Sequence, residues 1–353
     1  MTMLEYLQLA VAKGASDIFI GVGRRISFKI NGVIVPQSEN AITLEEANTT
    51  LKWLFETAGR SMHKYIEAGD DDYTISVPGL SRFRVSAYKQ RNTLAAVIRI
   101  IHFDIPHYED LSIPEEVMQS ASENHGIILV TGPAGSGKTT SLACVIDRIN
   151  QTRNCHIITL EDPIEFLHRD RKSLISQREI AIDTDSYLTA LRACLRQSPD
   201  IILLGEMRDH ETIRTAMTAA ETGHLVVSTL HTAGAANTID RIIDIFPPEQ
   251  QQQIRVELSM LLRVVVSQQL LPSRSGGLVP AFEILRLNSA IRTLIREAKT
   301  HQINGIIQTS SQEGMITMDQ YILKLYKSGE ITADTALSFS MNPEQLARRL
   351  NEK

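Results

Sequence analysis

A chain of 353 residues with 36 Lys+Arg against 41 Asp+Glu carries a formal charge of −5 and is 43% hydrophobic, enough for about two ordinary domains with a sizeable core. With 22% charged residues, 12 prolines and 3 cysteines, it is not disordered, collagen-like or a disulfide scaffold. An acidic balance without a block of like charges argues against a protein built to neutralise nucleic-acid phosphates.

The N-terminus, Met1 to Lys13, lacks a basic stretch followed by an apolar one and reads instead as a helix with Leu4, Leu7 and Val11 on one face. From Ile18 to Ile101 the pattern is mostly strands. Ile26 to Ile30 and Val33 to Val35 flank Asn31-Gly32, a strong hairpin-turn signal, and helical spacing intervenes between Leu44 and Leu54. Tyr73 to Val77, Arg82 to Tyr88 and Ala95 to Ile101 complete a small α+β unit, expected to span residues 1–104. The stretch His102 to Pro114, proline-containing and aperiodic, predicts a linker at 105–114. Beyond it, short apolar strands alternate with helices, the rhythm of a parallel sheet. The strands are Ile127 to Val130, His156 to Leu160, Ile201 to Leu204 and Leu225 to Leu230; one helix presents Leu142, Val145, Ile146 and Ile149, and others begin near Asp209 and Ala235. An α/β domain over 115–285 and a helical C-terminal segment over 286–353 follow. No apolar run approaches the ~18 residues that span a bilayer, so no integral membrane protein is expected. Cys144, Cys155 and Cys194 provide neither a disulfide framework nor a four-ligand zinc site, and point to a reducing cytoplasm.

Between one predicted strand and the next helix stands Gly132-Pro133-Ala134-Gly135-Ser136-Gly137-Lys138-Thr139, followed by Thr140. This is the Walker A pattern in the context that gives it meaning: a side-chain-free backbone can wrap N–H groups around phosphate oxygens at a helix N-terminus. Lys138 would reach the β- and γ-phosphates and Thr139 would ligate Mg²⁺, so residues 132–140 form the nucleotide-binding set and a nucleoside triphosphate with Mg²⁺ is the implied pair, ATP once the resemblance below is added. Hydrolysis needs acids at neighbouring strand ends. Glu206 follows Ile201 to Leu204 and is placed to orient a water, while Glu161 follows His156 to Leu160 and offers a carboxylate to the metal or a second base. Thr139, Glu161 and Glu206 are thus the metal candidates, with the choice of base between the two glutamates open. His231 ends Leu225 to Leu230 as a candidate γ-phosphate sensor, and His224 with His231 makes a poor metal pair.

These blocks resemble the secretion ATPase superfamily and, within it, the PilT family of type IV pilus retraction motors: GPAGSGKTT at 132–140, ITLEDPIEFLH at 158–168, ALRACLRQSPDIILLGEMRD at 190–209 and AAETGHLVVSTLHTAGAANTIDRIIDIFP at 219–247. The likeness runs from ASDIFI near residue 15 to GMITMDQ near 314. It implies a RecA-like P-loop ATPase domain preceded by a PAS-like domain, assembled as a homo-hexamer. It also implies trans-acting arginines, for which Arg84 in RFRVSAYKQR and Arg99 in AAVIRI are the matching positions. Arg82 and Arg84 share one strand face, opposite Phe83 and Val85.

The resemblance further implies a cytoplasmic motor peripheral to the inner face of the cytoplasmic membrane. It would work through an inner-membrane platform protein, with a paralogous ATPase as a further partner, and without direct nucleic-acid contact or zinc. Assembly and type II secretion relatives usually carry a tetracysteine module, which this chain lacks. AIRTLIRE at 290–297 is similar to the AIRNLIRE signature of retraction motors, with Thr293 where that pattern has asparagine. The rival expectations are an assembly or secretion ATPase of the same superfamily, a RecA-like nucleic-acid translocase and a nucleotide-gated structural subunit.

Overall fold

Two compact units make up the computed structural model, which describes residues 1–30, 32–101 and 105–351. One comprises Met1–Asp104 with Glu165–Leu167, the other Ile105–Ile164 with His168–Lys353. Asn31, in the expected hairpin turn, and residues 102–104, in the expected inter-domain stretch, lie outside the described residues, as do the last two of the C-terminal segment.

The first unit runs α1 (Met3–Ala12), β1 (Asp17–Gly21), β2 (Ser27–Ile30), β3 (Val33–Pro36), α2 (Leu44–Thr57), α3 (His63–Ala68), β4 (Asp70–Val77), β5 (Ser81–Gln90) and β6 (Thr93–Ile101). Its strands form an antiparallel sheet in the order β3-β2-β1-β6-β5-β4. Both α1 and α2 begin with a capping box, in which the hydroxyl of Thr2 or Thr43 accepts from the backbone of Glu5 or Glu46 and that glutamate returns the bond. The amphipathic reading of α1 needs correction. Its buried face is Met3, Tyr6, Leu7 and Ala10; Leu4 is exposed and Val11 half-buried. Tyr6 can bury its ring against Phe28 edge-to-face with centroids 6.5 Å apart, a partner on β2 that no helical period could specify.

The second unit runs α4 (Glu115–Met118), β7 (Gly126–Thr131), α5 (Lys138–Thr152), β8 (His156–Glu161), β9 (Leu174–Glu179), α6 (Tyr187–Cys194), β10 (Ile201–Leu204), α7 (His210–Glu221), β11 (Leu225–Leu230), α8 (Ala235–Asp244), α9 (Pro248–Leu261), β12 (Leu262–Pro272), β13 (Leu278–Arg286), α10 (Ser289–Arg296), α11 (Ile303–Thr309), α12 (Met318–Lys327), α13 (Ala333–Phe339) and α14 (Pro343–Asn351). Its sheet has the order β13-β12-β7-β11-β10-β8-β9, parallel throughout except for β13. The central strands β7, β10 and β11 are buried at every position because helices cover both faces. Ile127, Leu129, Ile202 and Leu204 enter one core with α6 to α11, while Ile128, Val130, Ile201 and Leu203 enter the other with α4, α5 and α12 to α14. Within residues 105–114, Ile113 is buried in the second of these cores, and Ile105, Tyr108 and Leu111 pack against it.

Helix starts carry their signal locally. The Asp209 carboxylate accepts from Thr212 N and Thr212 Oγ1, both at 2.8 Å, at the N-cap of α7. Replacing it (Asp209→Ala) should lower unfolding stability by about 1 kcal/mol, read as a shift in the urea midpoint at unchanged slope.

Candidate active site

The loop between β7 and α5 is shaped by its glycines. Gly132, Gly135 and Gly137 hold φ of 140°, 76° and 84°, a region that side chains disfavour. A Cβ on Gly132 would also collide with the carbonyl oxygen of Gln268 on β12. Pro133, Ala134 and Gly135 form the exposed tip, Thr139 and Thr140 are half-buried in the first turn of α5, and Ser136 is buried with its hydroxyl lacking a protein partner. Ser141 Oγ donates to Gln268 Oε1 at 2.8 Å, which braces the start of α5 against β12. A cavity of about 280 Å³ adjoins this turn, lined by Asp110, Ile113, Thr140, Gln268, Leu270 and Pro280 among others.

Lys138 is buried, and its Nζ donates to the carbonyls of Gly132 and Pro133, each at 2.9 Å, and lies 3.4 Å from His231 Nδ1. His231 Nε2 in turn lies 3.4 Å from Glu206 Oε1, whose other oxygen accepts from Arg208 Nε at 2.8 Å. A neutral imidazole protonated at Nε2 satisfies both neighbours, accepting from the ammonium and donating to the carboxylate. Three residues picked out by sequence thus form one contiguous row from the phosphate loop to the end of β10.

Glu161 is also buried, with Oε1 accepting from Thr159 Oγ1 at 2.6 Å and from Gln177 Nε2 at 3.1 Å. The amide orientation of Gln177 is fixed because its Oε1 accepts from His168 N at 2.8 Å. The two acidic strand ends adjoin: Gly205 N donates to Leu160 O at 2.8 Å. Tyr187 on α6 was not legible as a site residue. Its hydroxyl would lie 2.7 Å from a Cβ on Gly205. Burial, then Asp162 and Glu161, push the phenol upward, and Arg208 and Glu206 also act on it. It therefore remains a proton-bearing donor among acids. Its only sequence trace was a tyrosine at the start of an amphipathic helix.

Arg84 and Arg99 belong to the first unit, where they are direct cross-strand partners on β5 and β6. Like charges placed so repel, and each has an acid: Arg84 Nη2 lies 3.9 Å from Asp72 Oδ2, and Arg99 Nε donates to the buried Asp17 Oδ1 at 3.0 Å. Asp17, the first residue of β1, lies within the ASDIFI block but no role was legible for it there, because its pairing with Arg99 depends on a strand far away in sequence.

A parallel sheet whose first strand feeds a glycine-built loop into a helix, with a lysine inside the loop and acids at the adjoining strand ends, defines a RecA-like P-loop ATPase fold. The oxygen donors of Thr139, Glu161 and Glu206 suit a hard divalent cation that takes most of its ligands from phosphate and water, and the unpartnered Ser136 hydroxyl suits an anion within the glycine cradle.

The chain belongs to the type II/IV secretion system protein family, whose model matches residues 2–275. It is 41% identical over 344 residues to the type IV pilus retraction ATPase PilT of Pseudomonas aeruginosa, covering 98% of this chain and 99% of the relative. It is 48% identical over 277 residues to a twitching motility protein of Neisseria gonorrhoeae, covering 78% and 74%. A crystal structure of the pilus retraction motor PilT with bound ADP superposes with a TM-score of 0.91 at 43% identity, covering 99% of both chains. The PilT-family resemblance read from the motifs is therefore borne out over nearly the whole chain. No helix among the described residues is long and apolar enough to cross a membrane.

Proposed function

We propose that this chain is a Mg²⁺-dependent ATPase that assembles as a homo-hexamer and powers type IV pilus retraction, and with it twitching motility. The observation that carries the reading is the row from Lys138 through His231 to Glu206 beside the glycine-lined cradle, in a chain so similar to a retraction ATPase. The backbone N–H groups of 132–140 and the Lys138 ammonium bind the phosphates, and the neighbouring 280 Å³ cavity receives the nucleoside. Thr139, with Glu161 and Glu206, would hold Mg²⁺, which supplies charge neutralisation on the β- and γ-phosphate oxygens. Glu206 orients and deprotonates the attacking water, and Glu161, held by Thr159 and Gln177, shares the metal or that role. His231 contacts both the phosphate-binding lysine and the base, so it can report phosphate occupancy.

Arg84 and Arg99 act in trans on a neighbouring subunit's phosphates. The division of labour follows the sequence: a PAS-like part at 1–104, an ATPase part at 115–285 and a helical segment at 286–353. The motor sits in the cytoplasm against the inner face of the membrane and acts on the fibre through an inner-membrane platform protein, alone or beside a paralogous ATPase. Deleting the chain in its host should leave abundant but immobile pili, scored by pilus counts and twitching. Bald cells would move the assignment to pilus assembly, and ATPase stimulation by single-stranded DNA at physiological salt would favour a translocase.

A further inference from the structure

The loop that carries His231 into α8 is anchored by a buried polar row that none of the recognised motifs contains. Thr131, the last residue before the phosphate loop, is the register partner of Ser267 on β12, and Ser267 is the register partner of Glu283 on β13. All three are buried. Each holds the segment after His231. Thr238 Oγ1 donates to Gly234 O at 2.8 Å and lies 2.8 Å from Thr232 Oγ1 and 3.4 Å from Thr131 Oγ1; Gly234 N donates to Ser267 Oγ at 2.9 Å; Ala235 N donates to Glu283 Oε1 at 2.6 Å.

The other Glu283 oxygen faces away from the site. Oε2 accepts from Met318 N at 3.3 Å, at the start of α12. One carboxyl group therefore sits between the N-termini of two ten-residue helices, α8 and α12; burial pushes its pKa up, and the backbone donors of Ala235 and Met318 at those helix ends act against that shift. The C-terminal segment meets β13 beside it: Ile284 and Ile316 exchange backbone hydrogen bonds of 2.9 and 3.2 Å. Asp319 in turn accepts from Met341 N and Asn342 N at 2.7 and 2.9 Å.

We propose that Glu283 is a positioning residue for ATP hydrolysis: with Ser267 and Thr131 it fixes the loop behind His231 to the strand that feeds the phosphate cradle, and it fastens that loop to the C-terminal helices. This rests on the ATPase reading above. Glu283 touches neither nucleotide nor water; it acts through the placement of His231. The buried site requires an acceptor at both oxygens, because each faces a backbone N–H. Glu283→Gln keeps the shape but turns an amide donor toward one of those N–H groups and leaves only a neutral amide oxygen at the other, so that one anchor is lost and the other weakened.

The test uses the full-length chain, with steady-state kinetics, binding of Mg²⁺–ADP and hydrogen–deuterium exchange on the same preparations. In Glu283→Gln, kcat should fall about tenfold or more while KM and ADP affinity stay within about threefold, the split of a group that acts only on the chemical step. Exchange should quicken in both 232–238 and 316–322, with residues 132–140 still protected by ADP. Ser267→Ala, which removes only the Gly234 anchor, should show a smaller loss of kcat and faster exchange in 232–238 alone. Wild-type kcat in Glu283→Gln, or a loss of ADP binding with faster exchange across the whole second unit, would overturn the proposal; the latter would make Glu283 a fold residue. A wild-type chain that hydrolyses no ATP would overturn the ATPase reading alone, since exchange reports the anchoring of the loop by itself.

Discussion

Lys138→Ala should reduce ATP hydrolysis by at least about 10³-fold, about 4 kcal/mol of transition-state stabilisation. Lys138 is the first residue of α5, buried at the mouth of the phosphate loop, and its Nζ is held by two loop carbonyls and faces His231. An ammonium kept in a low-dielectric pocket beside the loop meets developing phosphoryl charge by exchanging nearby carbonyl partners for phosphate oxygens, with little competition from water, which is why its removal costs far more than that of a surface lysine. Alanine also takes the proton donor from His231 Nδ1, so the imidazole is no longer held between a cation and Glu206. The measurement is phosphate release by the purified chain at saturating Mg²⁺–ATP, with a thermal melt to show that the fold persists. Turnover near wild type would refute the assignment of the site.

Removing Arg84 or Arg99 should be comparably damaging. If Arg84 and Arg99 stabilise the transferring phosphoryl group, each alanine variant should lose about 10³ to 10⁵ in turnover, roughly 4 to 7 kcal/mol, against 1 kcal/mol or less for an ordinary surface charge. Arg84 gives the cleaner result, because its acid partner Asp72 is exposed at a distance of 3.9 Å. Arg99→Ala leaves the buried Asp17 without its cation, so a stability loss would accompany it. Trans action has its own signature. Lys138→Ala and Arg84→Ala, each inactive alone, should recover about a quarter of wild-type activity when mixed and reassembled, because a ring of heterologous contacts places intact halves together at about one site in four. No recovery, with subunit exchange verified, would place both residues in the same chain's site.

How much of this was legible beforehand follows from the range of the forces involved. The phosphate loop is a local object: glycine conformations, a helix N-terminus and one lysine lie within nine residues, so spacing alone revealed it. Glu161, Glu206 and His231 could be singled out because buried parallel strands are mostly apolar and then stop, which draws attention to the charged or titratable residue at each end. Other features depended on contacts between distant segments. Strand β9, LISQRE, is an edge strand with a mostly polar sequence, and only its pairing with β8 makes it a strand. Gln250 to Gln253 reads as a polar run, yet it lies in α9, where Gln250 accepts from Arg214 Nη2 at 2.7 Å.

Glu283 shows the division most clearly. In sequence it is a single acid within the otherwise apolar AFEIL, and nothing local says which partners it would meet. Its partners are Ala235 and Met318, 48 and 35 positions away. Residue order by itself determined the two-part composition, the nucleotide class, the strand-end acids and the family, because each rests on short-range stereochemistry or on contiguous motifs. Tertiary structure alone decided which side chains meet: that Lys138, His231 and Glu206 form one row, that the Tyr187 hydroxyl lies against Gly205 beside the acidic strand ends, and that a buried carboxyl group ties the loop after His231 to the C-terminal helices. Those juxtapositions come from the order of strands in the sheet, which places residues from distant parts of the chain in neighbouring strands, where their side chains come within hydrogen-bonding distance.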